Sequence, residues 1–324
     1  MTIETSRLVE ATLAVIRQVQ LEIRFHIETD PEDAFAPMLL GSGKGLLSVD
    51  HYAEKRAKFL LQKKLELSKD EMLVLGEENL TIKKDAKDLT NESRLVALLD
   101  MVDGTDLLER GLSNWCSAVV FFDPQGERGR KILAAFVGID EEGVYYSTHD
   151  KEQVFLHSFH VTGGNQRDLA LRCLETGPSD LSEVSLCFYG QQAGAFLSLV
   201  RHKAFLDYLE EISCSKDKPK LRIYNLAGNP MMVKMFYGNT RINMVVDTHG
   251  QFPHDMVAGA FIACKAGAVL MGLKEETVDL ETSLLHPADE RFKLQYVLAS
   301  NRSIAAELRG YLSAEIVETR RSSL

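Results

Sequence analysis

A series of strand-like segments between residues 95 and 161 constrains the fold of this chain more than any other feature of its sequence. The segments are rich in apolar residues and are separated by turn signals such as Asp123-Pro124 and Glu142-Gly143. They lie at 95–101, 115–122, 131–139, 143–148 and 153–161. This pattern predicts a block of mostly antiparallel sheet. Helices predicted at 5–27 and 48–65, and a short buried strand at 72–75, precede it.

From about residue 166 the pattern changes to an alternation of strands and helices. Strands are predicted at 184–188, 221–224, 241–247 and 268–272, and helices at 192–212, 229–237, 255–266 and 304–312. Such alternation is typical of an α/β layer. We therefore predict an N-terminal α+β subdomain, 1–165, and a C-terminal α/β subdomain, 166–324, which pack as one unit.

Composition and charge narrow the possible functions. The formal net charge of −10 argues against a binding surface for nucleic acid polymers or anionic membranes. No apolar run approaches the 18 residues of a membrane span, and no signal peptide is evident. The five cysteines form no CxxC pair and have no zinc spacing. These features predict a cytoplasmic protein with reduced thiols.

The strand at 95–101 runs into a short acidic turn. Asp100 and Asp103 are three residues apart, and Gly104 and Thr105 follow directly. Two carboxylates beside a turn that can present backbone N–H groups and a hydroxyl suit a Mg²⁺-dependent phosphate site. Asp-Gly-Thr is also ordinary turn chemistry, so the motif alone leaves both interpretations open.

Further carboxylates stand at the ends of other predicted elements. Glu77 and Glu78 follow the strand at 72–75, and Asp255 opens the helix at 255–266. Asp50 lies near the start of the second helix, with Glu54 one turn later. Acidic residues at helix N-termini are often only caps, and each of these could be one. Their occurrence together in one chain favours a shared acidic site.

In order along the chain, these motifs resemble those of the inositol monophosphatase family, which is related to fructose-1,6-bisphosphatases and bisphosphate nucleotidases. The matching residues are Lys44, Asp50-x-x-x-Glu54, Gly76-Glu77-Glu78, Asp100-x-x-Asp103-Gly104-Thr105 and Asp255 with Ala258-Gly259. The resemblance covers nearly the whole chain. It implies an α+β fold of the sugar-phosphatase type, a layered α-β-α-β-α sandwich.

The resemblance also implies a role for each of these residues. Divalent metal would be bound by Glu77, Asp100, Asp103, Asp255 and the backbone carbonyl of Val102, as two or three Mg²⁺ ions with Mn²⁺ as an alternative. Thr105 would orient a metal-activated water, assisted by Asp50 or Glu78. Phosphate would be bound by Lys44 and by the N–H groups of Gly104 and Thr105. Asn229 is expected either to contact a substrate hydroxyl or to cap a helix.

The activity implied is Mg²⁺-dependent hydrolysis of a small phosphate monoester by a homodimer, with an inositol phosphate as the default substrate. A 3′(2′),5′-bisphosphate nucleotide and a sugar bisphosphate are alternatives, as is a non-catalytic relative that binds a phosphorylated ligand. Several positions depart from the family pattern: Met101 replaces proline, Asn79 replaces serine and His254 replaces tryptophan. The segment Lys265-Ala266-Gly267-Ala268 also stands where Glu-Ala-Gly-Gly is common. We expect His254 at the rim of the substrate pocket.

Overall fold

Two long helices form the first layer of the molecule. The computed structural model describes residues 4–39, 45–77, 80, 89–140, 142–151, 153–159, 168–171, 177–190, 192–215, 221–226, 228–236 and 242–313. Helix α1 is Thr5–Thr29 and α3 is Ser48–Leu65, close to the predicted bounds. Between them lie the short helix α2, Pro31–Ala34, and the hairpin strands β1, Pro37–Leu39, and β2, Gly45–Leu47.

The predicted antiparallel block is a seven-stranded sheet. Its strands are β3 Met72–Gly76, β4 Leu95–Asp103, β5 Cys116–Phe122, β6 Ile132–Ile139, β7 Gly143–Thr148, β8 Val154–Ser158 and β9 Asp168–Leu171, in that spatial order. All neighbouring pairs are antiparallel except β3 and β4, which are parallel. The carboxyl ends of β3 and β4 therefore lie side by side.

A second, five-stranded sheet follows in the chain. Its spatial order is β11-β10-β12-β14-β13, with β10 Ser185–Phe188, β11 Arg222–Tyr224, β12 Met244–Gln251, β13 Val269–Gly272 and β14 Leu294–Ala299. Strands β11, β10 and β12 are parallel, whereas β14 pairs antiparallel with both β12 and β13. Strand β14 was not predicted from the sequence.

Seven further helices follow β4 among the described residues. They are α4 Thr105–Glu109, α5 Ala193–Val200, α6 Lys203–Cys214, α7 Asn229–Lys234, α8 Pro253–Lys265, α9 Leu280–Leu284 and α10 Arg302–Ser313. Of these, α5, α7, α8 and α10 pack on the second sheet. The single helix predicted at 192–212 is two helices, because the backbone of His202 is extended and caps α6. No helix among the described residues is long and apolar enough to cross a membrane.

Three clusters of buried apolar side chains hold these layers together. The first lies between α1, α3 and one face of the seven-stranded sheet, and includes Ile16 and Phe136. The second packs α7 and α8 between the two sheets and includes Ile262. The third covers the outer face of the five-stranded sheet with α5, α6 and α10, and includes Leu308. Each fully buried side chain of this size contributes roughly 1.5–3 kcal/mol. The predicted α-β-α-β-α layering is confirmed.

Candidate active site

A β-bulge turns Asp100 and Asp103 toward the same face of the seven-stranded sheet. Asp100 lies opposite Ala118 and Asp103 opposite Cys116, so the two residues between them on β4 oppose only Ser117. Residues three apart in a regular strand point to opposite faces, and the one extra residue of a bulge reverses this. Ala118 and Cys116 face the middle helix layer. Both carboxylates therefore lie at that face.

The turn after β4 connects this strand to the start of α3. Gly104 has a φ of 96°, which glycine adopts without strain, and it caps α4. The Thr105 hydroxyl that follows lies 2.7 Å from Asp50 Oδ1 and 2.8 Å from the Val102 carbonyl oxygen, and it can donate to either. Three predicted site residues, Asp50, Val102 and Thr105, thus share one hydrogen-bonded group.

The carboxyl group of Asp50 is suited to accept a proton near neutral pH. Burial raises the pKa of Asp50 to about 6, although hydrogen bonds from Thr105 and from the Leu47 backbone N–H lower it in part. A base with a pKa just below the working pH is mostly ionised and still basic enough to be useful.

Glu77 follows β3 directly and reaches the same end of the sheet as Asp100, because β3 and β4 are parallel. The buried Glu54 side chain of α3 lies against Gly76, where a Cβ atom would overlap its carboxylate. Glu54 was among the acidic residues that the sequence singled out, but no role was predicted for it. The spacing in the sequence indicated its place, because Glu54 follows Asp50 by one helical turn and therefore lies on the same face of α3.

Asp255 lies in the first turn of α8, which begins two residues before the predicted start, and is held by its neighbour His254. The Nε2 atom of His254 is 2.9 Å from Asp255 Oδ1, and its Nδ1 atom is 2.7 Å from the Pro287 carbonyl oxygen. His254 is buried and does not lie at a pocket rim as expected. Burial alone lowers the pKa of His254, but the charge and hydrogen bond of Asp255 raise it to about 9 overall.

Asn229 connects the two halves of the acidic cluster from a fully buried position. Its amide nitrogen donates to Asp103 Oδ2 at 3.0 Å and to the Asp255 carbonyl at 2.8 Å, and its oxygen accepts from the Gly259 N–H at 2.7 Å. The helix cap at this point is Gly228. Because the amide is already bonded on both sides, its geometry supports a positioning role for Asn229, and contact with a substrate hydroxyl stays a prediction.

Burial and the charges of neighbouring carboxylates raise the pKa of Asp100 and of Asp103. Burial raises the pKa of Asp100 well above its usual range, and the charges of Asp103, Glu77, Asp255 and Glu54 raise it further. Burial also raises the pKa of Asp103 to about 6, although the amide of Asn229 lowers it in part. Buried carboxylates this close repel one another unless they share a cation or protons. The donor set, mainly carboxylate oxygens, fits a divalent metal ion.

The structure thus brings together most of the predicted site residues. Asp50, Glu77, Asp100, Val102, Asp103, Gly104, Thr105 and Asp255 lie around the ends of β3, β4 and the start of α8. Lys44 and Glu78 lie outside the described residues. Cys116 was missed by the sequence analysis; its thiol lies 3.5 Å from Asp103 Oδ2. Only the strand register reveals this contact.

Comparisons with known proteins bear on the fold. No protein-family model and no curated protein matches the chain. Among solved structures, the Thermotoga maritima IMPase is 15% identical with a TM-score of 0.61, over 94% of this chain and 96% of that chain. Inositol monophosphatase II from Staphylococcus aureus is 16% identical with a TM-score of 0.61, over 97% and 95%.

A dual specific IMPase/NADP phosphatase bound with D-inositol-1-phosphate is 14% identical, with a TM-score of 0.65, over 97% of this chain and 98% of that chain. At such identities the similarity establishes the fold and leaves the activity to be argued from the site. The predicted sugar-phosphatase-type fold is confirmed.

Proposed function

We propose that this protein is a divalent-metal-dependent phosphatase that hydrolyses a small phosphate monoester. The observation that carries the proposal is the convergence of four carboxylates, Glu77, Asp100, Asp103 and Asp255, on one end of the seven-stranded sheet. The fold is shared with structures named as phosphatases, which supports the same conclusion.

In this proposal the four carboxylates and the Val102 carbonyl hold two or three Mg²⁺ ions, or Mn²⁺ in their place. When bound, the ions would neutralise charge on the phosphate and lower the pKa of a nearby water. Hard oxygen donors of this kind suit Mg²⁺. The bulge in β4 supports the assignment, because it turns both of the strand's carboxylates toward one face.

The chain's own residues then orient and deprotonate the attacking water. The Thr105 hydroxyl fixes the position of the water, and the Asp50 carboxylate accepts its proton. The 2.7 Å contact between these two side chains supports this pairing, as does the pKa of Asp50 of about 6. Backbone N–H groups of Gly104 and Thr105 would bind phosphate oxygens. Lys44 as a phosphate ligand and Glu78 as an alternative base complete the proposal.

An inositol phosphate is the proposed substrate. One similar structure is named a dual specific IMPase/NADP phosphatase, so a nucleotide bearing a ribose phosphate is the alternative to test beside it. A sugar bisphosphate remains a further alternative. We also propose a cytoplasmic homodimer, with subdomains 1–165 and 166–324 of which the second supplies Asp255. A non-catalytic phosphate-binding protein would not require the contact between Thr105 and Asp50.

The experiment is phosphate release from inositol 1-phosphate, 2′-AMP, NADP and fructose 1,6-bisphosphate, with Mg²⁺ and with excess EDTA. We expect release from at least one substrate with Mg²⁺ and none with EDTA. Asp100→Asn and Asp103→Asn should reduce turnover at least about 100-fold while the far-UV spectrum is unchanged. Release that persists in EDTA, or full activity in either variant, would contradict the proposal.

A further inference from the structure

His254 stands in the acidic cluster with its two ring nitrogens in different surroundings. Nδ1 lies 2.7 Å from the Pro287 carbonyl oxygen. A carbonyl can only accept a hydrogen bond, so Nδ1 carries a proton. Nε2 is therefore the atom directed at the cluster, 2.9 Å from Asp255 Oδ1.

The orientation of the imidazole ring is fixed from two sides. Besides the bond to Pro287, the ring stacks on Phe252 with centroids 5.5 Å apart and planes inclined by 15°. A histidine that ligates a metal through one imidazole nitrogen commonly donates a hydrogen bond from the N–H of its other nitrogen to a backbone carbonyl, which fixes the orientation of the ring. The bond from Nδ1 to Pro287 has this arrangement.

The three side chains Glu77, His254 and Asp255 offer ligand atoms that all lie within 4.8 Å of one another. An ion about 2.1 Å from each of its ligands keeps those ligands roughly 3–4.2 Å apart. Only a small contraction of the cluster is therefore needed. The set combines one imidazole nitrogen with two carboxylates. Mg²⁺ prefers oxygen ligands, whereas imidazole favours first-row transition metals.

We propose that His254 Nε2 is a direct metal ligand, and that with Glu77 and Asp255 it forms a mixed nitrogen–oxygen site which binds a first-row transition ion in preference to Mg²⁺. The proposal rests on the assignment of Glu77 and Asp255 as metal ligands under the proposed function. With an ion bound, Nε2 would give up the proton that it shares with Asp255 Oδ1, and that proton would pass to solvent. The other carboxylates, Asp100 and Asp103, keep an all-oxygen set that suits Mg²⁺.

The test uses Mn²⁺ alone as the probe and needs no substrate. In the full-length protein loaded with Mn²⁺, electron spin-echo envelope modulation should detect a directly bonded ¹⁴N nucleus. When only the histidines are labelled with ¹⁵N, the ¹⁴N signal should disappear and a ¹⁵N signal should appear in its place. This measurement requires no substitution, so it does not depend on the folding of a variant. Absence of any histidine nitrogen coupling would overturn the proposal.

Variants then identify the histidine. His254→Gln should abolish the nitrogen signal and weaken Mn²⁺ binding, measured by calorimetry, about 10- to 100-fold, with little effect on Mg²⁺ binding. His249→Gln, which removes an exposed histidine five residues earlier, should change neither. If His254 only held Asp255 in place, His254→Gln would weaken the binding of Mn²⁺ and of Mg²⁺ equally. That result would contradict the proposal. The proposed function fails separately, in the phosphate-release assay, without affecting the nitrogen signal.

Discussion

At the scale of single residues, the contact between Thr105 and Asp50 makes a prediction about pH. Asp50 can accept a proton only when ionised, and its pKa is raised to about 6 by burial. Activity should therefore fall as the pH decreases through about 6. Asp50→Asn should reduce kcat by about 10²- to 10⁴-fold and remove this inflection from the kcat–pH profile between pH 5 and 8.

The control for this measurement is Asp150→Asn, which alters an exposed carboxyl in the turn after β7. It should leave both kcat and the inflection unchanged. The profiles are measured at saturating Mg²⁺, so that protonation of the metal-binding carboxylates does not produce the inflection. An inflection near pH 6 that survives in Asp50→Asn under this condition would assign the proton acceptor to another group and refute the role given to Asp50.

Asn229 illustrates which residue roles a sequence leaves undetermined. Its amide bonds to Asp103, which is 126 positions away, and to the Asp255 carbonyl, which belongs to another helix. No local pattern encodes these partners, so the sequence allowed either a substrate contact or a cap. The carboxylates themselves were predictable, because hard ligands at the ends of regular elements have a recognisable order along the chain.

At the scale of elements, the bulge in β4 is held by a buried hydrogen-bond network. The Ser117 hydroxyl donates to the Met101 carbonyl at 2.8 Å and accepts from the Gln20 amide of α1 at 3.2 Å. The Gln20 amide also donates to the Gly138 carbonyl. The Met101 carbonyl is the bulge's link to β5. The network thus connects the first helix with the geometry of the two carboxylates.

Ser117→Ala should therefore affect stability and metal binding together. Removing a buried hydroxyl that bonds two groups should lower the free energy of unfolding by about 1–3 kcal/mol. Because the bulge orients Asp100 and Asp103, Mg²⁺ binding measured by calorimetry should weaken as well. The matched control is Ser147→Ala on β7, whose hydroxyl donates to the Gln153 carbonyl. Ser147→Ala should lower the free energy of unfolding by a similar amount and leave the Mg²⁺ affinity unchanged. If Ser117→Ala and Ser147→Ala bound Mg²⁺ equally well, the hydrogen-bond network would have no role in positioning the metal site.

The elements that the sequence predicted well have strong local signals. The helix at 48–65 and the strand at 143–148 agree with the structure at both ends. Strand β14, which was missed, has only four consecutive apolar residues, Tyr296–Ala299, and it is stabilised by pairing with β12 and β13 on both sides. The bulge was equally hidden: the strand predicted to end at 101 extends to Asp103, and only its pairing with β5 shows the extra residue.

At the scale of the whole molecule, buried carboxyl groups with raised pKa values make folding depend on pH. Burial raises the pKa of Asp50, Asp103 and Asp247 to about 6, and that of Asp100 well above its usual range. In the unfolded chain these groups titrate near their ordinary value of about 3.9. Between pH 4 and 6 the folded protein therefore binds more protons than the unfolded chain, so its stability decreases as the pH rises.

Metal-free protein in EDTA should accordingly melt several degrees lower at pH 7.5 than at pH 5.5. A carboxyl whose pKa is about 6 when folded contributes about 0.8 kcal/mol to this difference. The raised pKa of His254 acts in the same direction above pH 6.5. Groups with lowered values, such as Asp279 and Asp289, lose their contribution only at lower pH, outside this range.

Addition of Mg²⁺ provides the decisive comparison, because an ion that binds the ionised cluster stabilises only the folded state. Calorimetric melting temperatures with and without Mg²⁺ should differ more at pH 7.5 than at pH 5.5, where protons compete with the ion for the same oxygens. Asp103→Asn should both flatten the pH dependence of the metal-free protein and reduce the Mg²⁺ shift. In the metal-free protein, the melting temperature could instead stay constant or rise from pH 5.5 to 7.5. Ionisation of the buried carboxylates would then not destabilise the folded protein, and the cluster would not need a bound cation.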